Sequence, residues 1–190
     1  MIRCRDRSGR YVIRVSRGLR PDGVHEFIST SVHAHVDAIQ IREPALTARE
    51  LFEIVTKAVR LTRGQPIRII VNDRVDVALA AGADGAHLRA DGPPIDAVRA
   101  IAPAGFLVGR SAHTDDEIDR AAGADYLIFG TVFATPSKPG IAGQGLDALR
   151  RAVERFHGPV LAIGGVGSEN VGEVLATGAA GFAAISAFGL

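Results

Sequence analysis

A three-part unit recurs along this sequence: a short run rich in Ile, Val and Leu, a polar or glycine-containing turn, and a segment with apolar residues at helical spacing. Strands that alternate with helices in this way predict a parallel sheet with right-handed crossovers. The runs that predict strands are residues 11–16, 37–42, 67–72, 85–88, 106–110, 126–130, 160–164 and 182–186. Eight such units predict a TIM (β/α)8 barrel.

The segments between the runs carry signals for helix starts and ends. Apolar residues from Leu51 to Val59 follow the i, i+3, i+4, i+7, i+8 pattern of a helix. Ser168 is expected to cap a helix over 169–177. Capping boxes predict two helix starts, Thr47 with Glu50 and Thr114 with Glu117. Helix ends are predicted at three glycines, Gly82, Gly123 and Gly178.

The chain is short for a barrel of this class, which commonly takes about 250 residues. With 190 residues the helices must be short, and we expect the last helix to be reduced or missing. No linker or shift in composition interrupts the pattern, so residues 1–190 are interpreted as one domain. A doubly wound open sheet is the alternative, but it places a glycine-rich phosphate turn after its first strand, and residues 16–20 form no such turn.

Charge and composition argue against several kinds of partner. The chain has 22 Lys and Arg against 21 Asp and Glu, and no basic run interleaved with aromatic residues, so we expect no nucleic-acid partner. No apolar run approaches the ~18 residues of a membrane-spanning helix. The single cysteine, Cys4, excludes a disulfide framework. Together these features favour a cytoplasmic protein.

Polar side chains gather where the predicted strands end, which is where the active site of a TIM barrel lies. His87 has a second interpretation as a hydrogen-bonded group of the core. The predicted substrate-binding residues are Gln40, Arg42, Asn72, His87, Ser111, Thr135, Ser137, Lys138, Gly164, Gly165 and Ser186.

Two regions predict phosphate binding. Gly164, Gly165 and Ser186 follow the last two strands, where barrels often bind phosphate through backbone N–H groups. A plain turn is the alternative there. Lys138 lies between residues 131 and 145, the longest irregular stretch, together with nearby hydroxyl groups that suit an anion. A solvated lysine is the alternative there.

His113 is the candidate proton carrier. An imidazole with a reference pKa near 6.5 at a strand end suits proton transfer at neutral pH, although a histidine at a helix start fits the same position. Asp115, Asp116 and Glu117 are interpreted as first-turn residues that complement the helix dipole. His33 and His35 lack a third ligand, so no metal site is predicted there.

An ordered set of motifs resembles the thiamine phosphate synthase/TenI family, which consists of small TIM barrels of thiamine biosynthesis. The resemblance covers residues 37 to 188. The motifs are Gln40 to Glu43, Asn72 to Arg74, Gly82 to Leu88, Gly109 to His113, Gly123 to Phe133, Thr135 to Lys138 and Ala162 to Gly165.

The resemblance implies one of two activities. The synthase joins a pyrimidine diphosphate to a thiazole phosphate with Mg²⁺ held by carboxylates, whereas TenI-like relatives aromatise a thiazole carboxylate phosphate by proton transfer without a metal. Pro44 stands where the synthase pattern has a lysine, and Arg89 where it has a glycine. An aspartate, Asp91, lies one residue before the usual position of the metal-binding aspartate.

Because these departures fall on the diphosphate and Mg²⁺ side, we expect a TenI-like thiazole tautomerase without a cofactor. His113 would carry the proton, the glycine turn and Ser186 would hold the phosphate, and Lys138 with Gln40 and Arg42 would orient the ring or carboxylate. One alternative is the synthase, with Asp73 and Asp91 sharing Mg²⁺. Another is a regulatory protein that binds a thiazole phosphate without catalysis. The expected partner is a small phosphorylated thiazole, and the resemblance implies a possible homodimer.

Overall fold

The computed structural model describes residues 11–135, 140 and 142–186, and these form a closed barrel of eight parallel strands in chain order. This confirms the predicted TIM barrel. The strands are β1 Tyr11–Val15, β2 Ala38–Ile41, β3 Arg68–Asn72, β4 Gly85–Leu88, β5 Leu107–Ala112, β6 Tyr126–Gly130, β7 Val160–Ile163 and β8 Gly181–Ala184. The helices are α1 Val24–His33, α2 Ala48–Leu61, α3 Val75–Ala80, α4 Ile95–Arg99, α5 Asp115–Asp119, α6 Gly145–Arg155 and α7 Val171–Ala176.

The predicted short helices are confirmed, since α4 and α5 have only five residues each. The described residues after β8, Ile185 and Ser186, contain no helix. No described helix is long and apolar enough to cross a membrane.

Strand alternation divides the core into two layers. One buried cluster contains residues from both strands and helices, such as Ile54 and Leu149, and fills the space between the barrel wall and the helices. The second cluster includes Ile13, Ile70 and Tyr126 but no helix residue, so it fills the barrel interior. Side chains two residues further along a strand point to the same face, so polar residues that follow this interior cluster, such as Gln40 after Ala38, lie at the C-terminal end of the barrel.

An aspartate precedes β2, β4 and β6 at the N-terminal end of the barrel. Asp37 Oδ2 accepts the Val12 N–H at 2.7 Å, and the same carboxylate oxygen of Asp84 accepts the Ile69 N–H at 2.8 Å. Asp125 repeats the contact with the Val108 N–H at 2.7 Å. Each carboxylate thereby bonds the first part of the preceding strand. Asp84 and Asp125 each follow a Gly-Ala pair in the sequence, so the two repeats have the same structural role.

Two predicted helix caps are confirmed and one is wrong. Thr47 and Glu50 form a complete capping box. The Thr114 hydroxyl accepts the Glu117 N–H, but the Glu117 carboxylate bonds the His113 N–H, so the second predicted box is half formed. Ser168 does not cap a helix, because α7 begins only at Val171 and the N-cap residue is Asn170. The Asn170 amide instead bonds the Gly167 N–H and the Gly165 carbonyl, which closes a turn before the helix starts.

Candidate functional site

A chain of hydrogen bonds crosses the C-terminal ends of β2 and β3. Gln40 Nε2 donates to Asn72 Oδ1 at 2.8 Å, and Asn72 Nδ2 donates to Asp73 Oδ2 at 3.0 Å. Gln40 is only 3% exposed, and its Oε1 has no hydrogen-bond partner among the described residues. A buried acceptor without a donor costs about 1–3 kcal/mol. Gln40 Oε1 is therefore a group that a bound molecule could satisfy.

Asp73 is held in an unusual backbone conformation at the end of β3. Its φ of 59° is in the left-handed region, which few non-glycine residues adopt, although aspartate is among those that do. Asp73 Oδ1 accepts the Arg89 N–H at 2.9 Å, so the next strand's loop fixes the carboxylate. Such outliers concentrate at functional sites.

The Arg89 side chain lies between two carboxylates. Its Nε is 3.1 Å from Asp73 Oδ2 and 3.3 Å from Asp91 Oδ1. Its side chain is 64% exposed, so the guanidinium is free to exchange these contacts for water or an anion. The loop after β4 thus places one cation between the two candidate acids.

His87 occupies the barrel interior at 1% exposure, bonded on both ring nitrogens. Its Nδ1 is 3.2 Å from the Tyr126 hydroxyl and its Nε2 is 2.9 Å from Ser111 Oγ. Burial, with the nearby Arg110 charge, lowers the pKa of His87 to about 3. Burial also raises the pKa of Tyr126 far above its usual value. Both side chains are therefore neutral near pH 7.

His113 belongs to a separate cluster at the start of α5. Glu117 Oε2 accepts the His113 N–H at 2.6 Å and lies 3.1 Å from its Nδ1. The imidazole is 43% exposed. The described contacts connect His113 to Glu117, and they do not connect it to the groups around Asn72 or His87. Its catalytic role stays a prediction.

The turn after β7 requires glycine for two physical reasons. Gly164 and Gly165 have φ values of 97° and 63°, which L side chains rarely adopt. A Cβ on Gly165 would lie 2.7 Å from the Ala134 carbonyl oxygen, so the loop after β6 packs against this turn. Within the described residues the Gly165 N–H has no hydrogen-bond partner. The turn can therefore offer this donor to an anion, and phosphate binding here stays a prediction.

The other predicted substrate-binding residues follow β2, β6 and β8 in the chain. Arg42 is exposed, and its backbone N–H donates to Ser16 Oγ at 3.0 Å. Thr135 is half-buried and Ser186 is exposed, each in a loop after its strand. Ser137 and Lys138 lie outside the described residues.

Comparison with known proteins identifies the family. The family model of thiamine monophosphate synthase, TMP-TENI, matches residues 11–188. This chain belongs to the TMP-TENI family. That finding confirms the resemblance seen in the sequence motifs.

Several similar proteins are named as thiamine-phosphate synthases. A putative thiamine-phosphate synthase of Geobacter sulfurreducens is 44% identical over 155 residues, covering 80% of this chain and 73% of the relative. A thiamine-phosphate synthase of Pyrococcus furiosus is 41% identical over 179 residues, covering 93% and 84%. A solved thiamine phosphate pyrophosphorylase from Pyrococcus furiosus superimposes with a TM-score of 0.78 at 36% identity, covering 93% of this chain and 85% of the other.

Mg²⁺ is implied by the TMP-TENI family, and the two acids fit it as a donor pair. Mg²⁺ takes one or two protein carboxylates and completes its shell with waters and substrate phosphates, which Asp73 and Asp91 match. Among the described residues, no cluster of three or more His, Cys, Asp or Glu side chains is placed to hold a metal ion. The position between the two acids is taken by Arg89 Nε, so a metal ion and this guanidinium compete for the same oxygens.

Three residues of the site were not predicted from the sequence. Tyr126 opens an apolar run, Tyr-Leu-Ile-Phe, and resembles an ordinary core residue. Arg89 stands out in the sequence only as a departure from the family pattern. Glu117 lies in the first turn of α5, as predicted, but its bond to His113 has no signal in the sequence. One signal could have indicated Tyr126: Gly109, a glycine inside a neighbouring strand, which often marks a close approach of another group.

Proposed function

We propose that this chain is a thiamine-phosphate synthase that joins a pyrimidine diphosphate to a thiazole phosphate and releases diphosphate. The observation that carries the proposal is the pair of acids at Arg89. Asp73 has a left-handed backbone conformation, and its carboxylate and that of Asp91 both contact Arg89 Nε. Relatives at 41–44% identity carry the same name. They favour the synthase over the tautomerase expected from the motif departures.

The reaction needs the negative charge of the departing diphosphate to be neutralised. Asp73 and Asp91 would hold Mg²⁺, which supplies that neutralisation when bound. The backbone conformation of Asp73 and its bond from the Arg89 N–H keep the carboxylate in place before the substrate arrives. Preorganised groups of this kind avoid a reorganisation cost during the reaction.

The remaining polar groups bind and orient the two substrates. Gln40 Oε1, buried and without a partner in the described chain, would accept a hydrogen bond from a donor of the pyrimidine. The Gly165 N–H and the loop carrying Ser186 would hold the thiazole phosphate, because backbone donors at these strand ends suit phosphate oxygens. His87 remains neutral and adds no charge to the site.

The tautomerase remains a second candidate because of Arg89. A guanidinium between the two acids supplies positive charge without a metal ion, and the His113 imidazole lies 3.1 Å from the Glu117 carboxylate. General acid–base catalysis contributes ~10²–10⁴-fold, which suits a proton transfer. A protein that binds the thiazole phosphate without turnover is the third.

One set of incubations separates these functions. Purified protein receives the pyrimidine diphosphate and the thiazole phosphate with and without Mg²⁺, and separately the thiazole carboxylate phosphate tautomer alone. We expect thiamine phosphate only with both substrates and Mg²⁺. Isomerisation of the single tautomer without thiamine phosphate formation would assign the tautomerase instead. Bound but unchanged thiazole phosphate in every incubation would leave only the binding protein.

Metal titration tests whether Arg89 competes with Mg²⁺. Exposed ion pairs contribute about 0.2–1 kcal/mol each, so removal of two should tighten binding about 2- to 30-fold. We expect Arg89→Ala to bind Mn²⁺, titrated by calorimetry as a substitute for Mg²⁺, more tightly than the natural chain by this factor. Arg42→Ala is the control, since Arg42 has no described contact with either acid. Equal affinities in all three proteins would contradict the competition.

A further inference from the structure

Three strands align a histidine, a glycine and a tyrosine across the barrel interior. In the strand register His87 is opposite Gly109, and Gly109 is opposite Tyr126. A Cβ on Gly109 would lie 2.1 Å from Tyr126 Cζ, so the tyrosine ring fills the space that the missing side chain leaves. The ring thereby crosses β5 and brings its hydroxyl to His87 Nδ1. Gly109 is required for this contact.

The direction of the hydrogen bonds follows from the phenol. Among the described residues, His87 Nδ1 is the only hydrogen-bond partner of the Tyr126 hydroxyl. If the imidazole donated from Nδ1, the buried phenol hydrogen would have no acceptor, at a cost of about 1–3 kcal/mol. Tyr126 therefore donates and Nδ1 accepts. Burial raises the pKa of Tyr126, so the phenol keeps the hydrogen that it donates.

We propose that Tyr126 is a positioning residue that fixes the proton of His87 on Nε2 and thereby sets the direction of the Ser111 hydroxyl. With Nε2 protonated, His87 donates to Ser111 Oγ across 2.9 Å. The Ser111 oxygen is then an acceptor toward His87, and its own hydrogen must point elsewhere. Ser111 is half-buried near the C-terminal end of β5, so that hydrogen is available to a substrate oxygen at the mouth.

The effect on substrate rests on the proposed function, whereas the order of the hydrogen bonds does not. In the opposite tautomer the Ser111 hydrogen would point to His87, and the hydroxyl could only accept. A phosphorylated substrate presents anionic oxygens, which need donors. The buried tyrosine thus makes Ser111 a donor without touching the substrate itself.

The tautomer is measured directly by ¹⁵N NMR on protein labelled at histidine. The His87 signals are assigned by their loss in His87→Gln. In the natural chain we expect a protonated Nε2 and an unprotonated Nδ1. In Tyr126→Phe, which keeps the ring packing, we expect a mixture of both tautomers. A proton on Nδ1 in the natural chain, or an unchanged tautomer in Tyr126→Phe, would overturn the proposal.

Kinetics give the second readout on the intact enzyme. The loss of one directed hydrogen bond should lower kcat/KM about 2- to 10-fold in Tyr126→Phe. The same substitution in a Ser111→Ala background should have no further effect, because the hydroxyl that it orients is gone. Tyr11→Phe, which removes the other tyrosine hydroxyl of the chain, is the control. Equal losses in both backgrounds would indicate a purely structural role and reject the proposal.

These two readouts fail separately from the proposed function. A protein without synthase activity but with the expected tautomers would reject the synthase and leave the role of Tyr126 intact. A protein with synthase activity but with the opposite His87 tautomer would support the synthase and reject the role of Tyr126.

Discussion

The two ends of the barrel use polar groups in opposite ways. At the N-terminal end, the carboxylates of Asp37, Asp84 and Asp125 each accept a backbone N–H of the preceding strand. At the C-terminal end, Gln40 Oε1 lacks a partner among the described residues, and Asp73 adopts a left-handed backbone. The first arrangement stabilises the fold. The second carries an energetic cost, as is common where a substrate or ligand binds.

This difference means that substitutions at the two ends should separate stability from activity. Groups at the N-terminal face of a TIM barrel serve stability and those at the C-terminal face serve chemistry.

The largest expected effect is on catalysis at the C-terminal end. Asp73→Asn keeps a residue that tolerates the left-handed backbone but removes the negative charge. We expect kcat/KM of the synthase reaction to fall about 10²–10³-fold, the range for removal of one preorganised electrostatic group. Urea unfolding should show a loss of no more than about 1 kcal/mol, the contribution of one exposed ion pair such as that with Arg89. A large loss of stability with intact turnover would assign Asp73 to the fold.

The next effect concerns pH and the buried imidazole at the same end. The pKa of His87 is about 3 in the folded protein, against 6.5 when exposed. His87 therefore takes up a proton on unfolding, and its contribution to stability is complete above pH 6.5 and falls as the pH drops toward 3. Between pH 6.5 and 4.5 this group should cost about 2 kcal/mol. Urea unfolding should show that extra loss relative to His87→Gln, and parallel curves would contradict the buried neutral state.

A smaller effect on stability alone is expected at the N-terminal end. Asp37→Ala leaves the buried Val12 N–H without its side-chain acceptor, which costs about 1–3 kcal/mol. The kcat of the folded variant should not change, because the site is at the other end. Asp37→Asn keeps an acceptor oxygen and should lose less. Reduced kcat in fully folded Asp37→Ala would show that the two ends are coupled.

The sequence predicted the barrel well because its determinants are local. The apolar runs mark buried strands, and their predicted ends differ from the structure by at most two residues, as for 106–110 against Leu107–Ala112. The polar strand ends also indicated Gln40, Asn72 and His87. These predictions needed only the period of the pattern and the rule for barrel sites.

The contacts within the site could not be predicted in the same way. The bond between Tyr126 and His87 depends on strand register and on the space beside Gly109. The position of Arg89 between two acids depends on a loop conformation that no local pattern specifies. Ser168 is a residue type that often caps helices, but a turn closed by the Asn170 side chain follows it, and α7 begins only at Val171.

The smallest effect is expected from a substitution that extends the row of N-terminal aspartates to β8, the one even-numbered strand that lacks one. Ala180 precedes β8 as the aspartates precede β2, β4 and β6, and its backbone N–H donates to the Val160 carbonyl at 2.8 Å, as Asp37 N–H does to Val12. The Val160 N–H has no partner within the described part of the chain. Ala180→Asp should supply the missing acceptor and raise the unfolding free energy by about 0.5–1.5 kcal/mol. Ala180→Ser is the control, because its side chain is too short to repeat the carboxylate contact. A loss of stability in Ala180→Asp would show that the aspartates stabilise the fold through their local surroundings and not through a repeated contact.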